Sequence, residues 1–203
     1  QFAMEDIFFL TKKDVKLIVA ACHTVSSVVL ASIVDKTHLP ILGVVEPGIE
    51  AALAATRNNR IGVIGTRATV NSGTYERRLR EERERVQVMS RACPLFVPLA
   101  EEGWLNGDIT NRIAEVYLEP LQHNVDTLIL GCTHYPLLKE VICDVMDDEV
   151  VIIDSAEETA KQVIKKISSD GSERTAGKDP VHSFNVSDIP QQFQEIGERF
   201  LGT

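Results

Sequence analysis

The chain has 203 residues, of which 44% are hydrophobic, so it can bury a proper core in one large or two small domains. Its formal net charge is −9, which argues against a nucleic-acid or anionic-membrane surface because those partners require a basic patch. No apolar run reaches the ~18 residues of a membrane span and no signal-peptide pattern opens the chain, which predicts a cytoplasmic protein without membrane contact.

Strand-like and helical patterns alternate along the chain, which predicts an α/β fold with mainly parallel strands. The strand-like runs cover residues 16–21, 41–45, 61–65, 86–91, 126–131, 150–154 and 182–186. The helical patterns cover residues 25–35, 47–57, 68–84, 108–123, 136–146, 156–167 and 190–201. Residues 2–10 also look helical, without an N-cap, and the polar segment 168–180 predicts a surface loop.

Two of the predicted strands end at a cysteine that has a histidine and a threonine beside it. The first strand is followed by Cys22, His23 and Thr24, and the fifth by Cys132, Thr133 and His134. A thiol at a strand-to-helix turn faces free backbone N–H groups and the positive end of the helix dipole, so its pKa is expected to be lowered. A lone cysteine is more often a small packing residue, but two matching turns favour a chemical role.

Several chemistries use cysteines in this way. A redox pair needs two sulfurs within bonding reach, a metal site needs more ligands at short spacing, and a hydrolase needs one cysteine with one histidine base. Only a reaction on both faces of one carbon explains why the two turns are alike, because removing and returning a proton on opposite faces requires two acid–base groups. The spacing predicts no metal site, and Cys93 and Cys143 lie in apolar patterns that predict packing roles.

A third strand-to-helix turn follows residues 61–65. Thr66 and Thr69 place two hydroxyl groups there beside backbone N–H groups, a combination that suits a carboxylate. Threonine also caps helices for structural reasons alone, so the hydroxyls carry little weight in isolation.

Taken in order, these segments resemble the motifs of glutamate racemases. The matching segments are residues 21–26 (ACHTVS), 65–70 (GTRATV), 93–103 (CPLFVPLAEEG) and 130–138 (LGCTHYPLL). The C-terminal residues 184–202 are similar to the strand and helix that close that family, so the resemblance covers essentially the whole chain. It implies a cofactor-independent isomerase that interconverts L- and D-glutamate and supplies D-glutamate for peptidoglycan.

The resemblance also implies roles for individual residues. The catalytic residues that it implies are the thiols Cys22 and Cys132, with His134 assisting Cys132 and Glu101 on the same side. Its substrate-binding residues are His23, Thr24, Thr66, Thr69 and Thr133. His23 stands where the family usually has asparagine, so it is expected to bind substrate rather than act as a base. An imidazole there would also titrate beside Cys22, near pH ~6.5.

The resemblance implies two similar three-layer α/β domains with the active site in the cleft between them. Residues 1–45 and 154–203 would form the first, discontinuous domain and residues 46–153 the second. The family begins with a strand, an Asp-Ser-Gly-x-Gly-Gly turn and a helix that are not in this sequence. We therefore expect a fragment whose first domain is incomplete at its N-terminus.

Glutamate, a small molecule, is the expected partner, and a homodimer remains open. An aspartate racemase or another amino-acid racemase of the same family is the nearest alternative function. From a different class, the alternative is an inactive remnant whose cysteines only pack.

Overall fold

The computed structural model describes residues 1–174, 177 and 179–201, and its α/β fold confirms the predicted fold class. Its strands are β1 (Ile18–Ala20), β2 (Ile41–Gly43), β3 (Arg60–Gly65), β4 (Gln87–Ala92), β5 (Thr127–Gly131) and β6 (Val151–Asp154). Its α-helices are α1 (Phe2–Thr11), α2 (His23–Val28), α3 (Leu30–Ile33), α4 (Val45–Ala55), α5 (Arg67–Asn71), α6 (Thr74–Glu82), α7 (Phe96–Glu101), α8 (Asp108–Leu118), α9 (Lys139–Val145), α10 (Ser155–Ser169) and α11 (Pro190–Leu201). Two 3₁₀ turns cover Val34–Lys36 and Tyr135–Leu138.

The strands form two sheets, and every strand pair in them is parallel. One sheet pairs β1 with β2, and the other has the order β4-β3-β5-β6. The chain runs outward from β3 to β4 and then returns to β5 on the other side of β3, so the strand order reverses between β3 and β5. In open α/β sheets, ligands bind at the carboxyl ends of the strands beside such a reversal.

Helices cover both faces of the four-stranded sheet, so β5 is buried along its whole length. Leu128 and Leu130 point to the face covered by α7, α8 and α9. Ile129 points to the opposite face, which α4 and α6 cover. Side chains alternate between the faces of a strand, so this five-residue apolar strand supplies both cores.

The two-stranded sheet has a smaller core. Ile18 of β1 packs with Ile7 of α1 and Ile33 of α3 on one face. Val19 points to the other face, where it is 40% exposed and lines a cavity. None of the helices formed by the described residues combines the length and the apolar character needed to cross a membrane.

Several elements differ from the sequence prediction, among them the single helix predicted at 25–35, which is α2, α3 and a 3₁₀ turn. The pattern at 68–84 is two helices, because Gly73 has a φ of +64° and interrupts the run. Helix α7 was not predicted; its Pro98 lies in the first turn, where proline is tolerated because its missing N–H has no partner to lose. The strand predicted at 182–186 is wrong: Phe184 is exposed there, and no strand of the described residues pairs with the segment.

A buried carboxylate closes the amino end of the four-stranded sheet. Asp126 precedes β5 and accepts hydrogen bonds from the backbone N–H groups of Arg57 and Asn58, both at 2.7 Å. The hydroxyls of Thr56 and Thr127 donate to it at 2.6 and 3.0 Å. Burial raises the pKa of Asp126, but these hydrogen bonds together outweigh burial and lower the pKa below its usual value.

Replacing Asp126 with asparagine is expected to lower the free energy of unfolding by about 2–3 kcal/mol, because an amide NH₂ would then face N–H donors. The folded-state pKa of Asp126 is lowered, so the stabilisation is present above the unfolded pKa and lost as the pH falls below it. Urea unfolding at pH 7 and pH 3 measures both effects. The control is Asp148→Asn, at an exposed carboxylate without a side-chain hydrogen bond among the described residues. Equal losses of unfolding free energy in Asp126→Asn and Asp148→Asn would contradict the prediction.

Candidate active site

The ends of β3 and β5 place Thr66 and Cys132 side by side. Gly65 pairs with Gly131 at the last register position of the two strands, and the two site residues follow directly. A side chain at Gly131 would lie 2.6 Å from the Ile64 carbonyl oxygen, a contact that the backbone cannot accommodate. The residue before Cys132 must therefore be glycine for the strands to approach as they do.

Three threonine hydroxyls meet beside these strand ends. The Oγ1 atom of Thr24 lies 2.9 Å from that of Thr66 and 3.1 Å from that of Thr69. Thr66 and Thr69 are themselves 3.1 Å apart, and Thr66 caps α5 by accepting the Thr69 backbone N–H. The cluster joins the turn after β1 to the turn after β3 and gathers three O–H donors at one place.

Cys132, His134 and Glu101 form a chain of polar contacts. The Cys132 Sγ atom lies 3.8 Å from Nδ1 of His134, which also lies 3.4 Å from the Thr133 hydroxyl. On the other side of the ring, Nε2 lies 3.2 Å from Oε1 of Glu101. A ring that donates its Nε2–H to a carboxylate keeps Nδ1 free to accept a thiol proton. The three side chains thus have the geometry of a thiol, its base and the carboxylate that orients the base.

Aromatic packing holds α7 against the turn that carries His134. The buried rings of Phe96 and Tyr135 meet edge to face at 5.2 Å, and the Tyr135 hydroxyl donates to the Cys93 carbonyl at 2.9 Å. Phe96 begins the helix that ends at Glu101. This contact therefore sets the carboxylate within reach of His134.

Helix α11 adds two residues that sequence reasoning missed. The Phe200 ring meets the His134 ring edge-on at 6.1 Å, and the Arg199 guanidinium donates to the Glu101 carbonyl. Both residues lie on an amphipathic helix far along the chain, and no spacing in the sequence connects them to the site.

For Cys132, the expectation of a lowered thiol pKa is wrong. The side chain is 6% exposed, and burial is the main cause that raises its pKa to about 11. Negative charge on Cys22 or Glu101 acts in the same direction. The turn after Cys132 continues into the 3₁₀ turn Tyr135–Leu138 and not directly into an α-helix, so the dipole that would favour a thiolate is weak.

The structure divides the other predicted residues between two regions. A cavity of about 550 Å³ opens beside Cys132, with Thr133 and His23 also in its wall and apolar side chains of β1, α10 and α11 around them. The three-threonine cluster and Cys22, the exposed residue before α2, lie outside that wall. Within the described residues, no group of three or more His, Cys, Asp or Glu side chains could hold a metal ion.

His23 does not titrate as the sequence suggested. It is 4% exposed, and burial lowers its pKa to about 4. The imidazole is therefore neutral near pH 7 and places no positive charge beside Cys22.

The two remaining cysteines differ from each other. Cys93 is fully buried, as its apolar surroundings predicted, and burial raises its pKa to about 12. The packing role predicted for Cys143 is wrong, because Val141 and Ile142 fill the buried face of α9 and leave Cys143 exposed.

Comparison with known proteins places the chain in a family. The sequence profile of the Asp/Glu/Hydantoin racemase family matches residues 3–163, and the chain belongs to this family. It is 44% identical over its full length to the glutamate racemase of Geobacter metallireducens and 44% identical over 99% of its length to that of Neisseria meningitidis. The chain spans 75% of the length of each of these curated relatives.

Solved structures agree with this assignment. A glutamate racemase from Bacillus anthracis superposes with a TM-score of 0.94 at 36% identity, covering 100% of this chain and 76% of that one. A glutamate racemase from Francisella tularensis, solved in complex with D-glutamate, gives a TM-score of 0.88 at 34% identity, covering 96% of this chain and 73% of that one.

Burial predicts an order of reactivity for the four thiols. At pH 8, iodoacetamide is expected to alkylate the exposed Cys22 and Cys143 at least about tenfold faster than Cys132, because a raised pKa leaves little thiolate to react. Cys93 should react only on unfolding. Mass spectrometry of timed digests measures each site, with Cys143 as the internal control. Alkylation of Cys132 as fast as Cys143 would show that the thiol is neither buried nor held neutral.

Proposed function

We propose that this chain is a glutamate racemase, an isomerase that interconverts L- and D-glutamate and supplies D-glutamate for peptidoglycan synthesis. Its curated relatives carry that activity in their names and match along the whole chain. The observation that carries the proposal is the pair of cysteine turns: Cys132 has a base within reach in His134, and a matching turn places Cys22 between β1 and α2.

The proposed reaction moves one proton across the plane of the α-carbon. A thiolate on one face forms an S–H bond as the Cα–H bond breaks, and the electron pair is delocalised into the α-carboxylate. The thiol on the other face then gives up its proton to form the new Cα–H bond, and it is left as thiolate. Cys22 and Cys132 are the proposed pair, and the step uses only acid–base groups of the chain.

Cys132 is suited to be the proton donor of the resting site, because its raised pKa keeps it a neutral thiol. In the reverse direction it must act as the base, and His134 Nδ1 is placed to take its proton. The Glu101 carboxylate would then stabilise the imidazolium and hold the ring in the required tautomer. We therefore assign His134 and Glu101 to the Cys132 side of the reaction.

Substrate binding is proposed for Thr24, Thr66, Thr69 and Thr133, and the family resemblance implies the same role for His23. The three-threonine cluster supports this assignment, since its O–H donors lie within 3.1 Å of one another at the strand ends. Donors aimed at the α-carboxylate stabilise the negative charge that grows there as the proton leaves. A local cluster of this kind can hold an anion even though the chain has a net charge of −9.

We further propose that residues 1–45 with 154–203, and residues 46–153, are two domains with the substrate between them. The separate two- and four-stranded sheets support this division. The turn after β1 supplies one thiol, and the strand ends of the larger sheet supply the other. A role in making peptidoglycan precursors would place the protein in the cytoplasm, and a homodimer stays a prediction.

Solvent exchange tests the function and the two thiols. In deuterium oxide, the chain is expected to convert L-glutamate into α-deuterated D-glutamate, and D-glutamate into the deuterated L-form, because each proton returns from solvent-exchanged thiol. Cys22→Ser and Cys132→Ser should each slow this reaction about 100- to 10,000-fold, since a hydroxyl is too weak an acid. Cys143→Ser is the matched control and should keep wild-type rates.

Three outcomes would contradict the proposal. Exchange that survives the double substitution at Cys22 and Cys132 would exclude the two-thiol mechanism. Turnover of aspartate but not glutamate would identify the related aspartate racemase activity. A wild-type chain that exchanges neither substrate would be an inactive remnant.

Replacing Glu101 with glutamine keeps the side-chain shape but removes the charge that would stabilise an imidazolium at His134. The kcat value is expected to fall at least about tenfold with little change in KM, because the carboxylate contacts the base and not the substrate. A coupled assay for D-glutamate measures both constants. Glu102→Gln, at the exposed neighbouring residue, is the control. A rise in KM with an unchanged kcat would assign Glu101 to substrate binding instead.

A further inference from the structure

A group of buried polar atoms behind the site lacks hydrogen-bond partners. Within the described residues, five buried side-chain nitrogen or oxygen atoms have no partner. Both ring nitrogens of His23 and the hydroxyls of Tyr75 and Ser155 account for four of them. Folded proteins pair nearly all their buried polar groups, so a concentration of this kind requires an explanation.

These three residues are neighbours. The His23 and Tyr75 rings are stacked, with centroids 6.5 Å apart and planes 22° from parallel. Burial raises the pKa of the Tyr75 hydroxyl, and a contact with the Ser155 hydroxyl, which falls short of the geometry of a full hydrogen bond, opposes that shift. A side chain at Gly48 would lie 2.6 Å from the Ser155 oxygen, so α4 closes over this residue tightly. The polar atoms are therefore buried near one another, and His23 also borders the cavity beside Cys132.

The region touches both thiol turns. His23 directly follows Cys22 on one side. On the other side, a side chain at Gly131, the residue before Cys132, would lie 3.6 Å from the Tyr75 ring. Ser155 follows β6 at the end that pairs with β5. A rigid connection through these three residues would fix the separation of the two sulfurs.

The hydrogen-bonding groups in the region include both donors and acceptors. A neutral imidazole has one N–H donor and one acceptor nitrogen, and each hydroxyl can donate and accept. A buried water typically makes about three hydrogen bonds to such groups when they have no direct partner. Water between the ring and the two hydroxyls would satisfy all four atoms without any charge.

We propose that His23, Tyr75 and Ser155 form a hydrated polar cluster behind the two thiol turns, and that this cluster positions Cys22 relative to Cys132 for proton transfer. Bound water completes its hydrogen bonds. His23 is then a positioning residue that acts through Cys22, a role different from the substrate contact that the family resemblance implies. The inference rests on the proposed racemase function.

Three substitutions separate hydrogen bonding from packing. His23→Phe keeps a stacked ring but removes both nitrogens, Tyr75→Phe removes only a hydroxyl, and His23→Asn restores one donor and one acceptor. His23→Phe and Tyr75→Phe are each expected to lower kcat about 10- to 100-fold with a much smaller change in KM. The kcat of His23→Asn should fall less than that of His23→Phe. The kcat of the double Phe variant should fall no further than that of the more impaired single variant, because the two residues act as one unit.

Nitrogen-15 NMR of the histidine-labelled full chain provides a measurement that does not depend on activity. The His23 ring, assigned by its absence in His23→Asn, should stay a neutral tautomer from pH 5 to 8. Its N–H proton should exchange slowly with bulk solvent, because the ring is buried. In thermal unfolding, the stability losses of the two single Phe variants should likewise not add up in the double variant.

The outcomes distinguish this inference from the proposed function. If the wild-type chain racemises glutamate but His23→Phe raises KM without lowering kcat, His23 is a substrate contact and the inference is wrong. Titration of the His23 ring near pH ~6.5, or additive losses of stability, would also overturn it. A wild-type chain without racemase activity would refute the proposed function, whereas the NMR and unfolding results would still decide whether the cluster exists.

Discussion

The site depends on the close approach of β3 and β5 at Gly65 and Gly131. With no side chain at Gly131, the two strand ends can lie together, and a Cβ there would meet the backbone of β3 at 2.6 Å. This contact puts Thr66 and Cys132 at adjacent positions at the reversal of strand order. It also lets the Tyr75 ring lie against the strand end. The hydroxyl cluster, the thiol and the polar region behind them therefore share one backbone constraint.

The same packing places the two thiols in different environments. Cys132 is buried with a pKa raised to about 11, whereas Cys22 is exposed at the start of α2. A racemase must remove a proton from either enantiomer, so each thiol must act both as acid and as base. The raised pKa keeps Cys132 protonated at rest and makes it a weaker acid than an ordinary thiol, and in the proposed mechanism His134 with Glu101 helps to move its proton. Among the described residues, the contacts of His134 and Glu101 lie on the Cys132 side.

Periodicity predicted six of the seven proposed strands and the α/β class, because buried parallel strands are short apolar runs that end in turn residues. It also found Cys132 and His134, which are close because they are neighbours in sequence. It could not find Phe200 or Tyr75, whose positions depend on how distant elements pack. It missed the pKa of Cys132 for the same reason, since burial and a 3₁₀ turn are properties of the folded chain. The strand predicted at 182–186 had the right composition, but no strand of the described residues pairs with it.

Burial also bears on the histidine at position 23, where the family resemblance implies an asparagine. An exposed imidazole would be partly charged near neutral pH and would favour thiolate at the adjacent Cys22. At 4% exposure His23 has a pKa of about 4, so its ring is neutral and offers one donor and one acceptor, as an amide does. The fold therefore makes the two side chains electrostatically equivalent at this position. Histidine differs from asparagine in its ring. The ring stacks on Tyr75, and this contact connects the Cys22 turn to the sheet that carries Cys132.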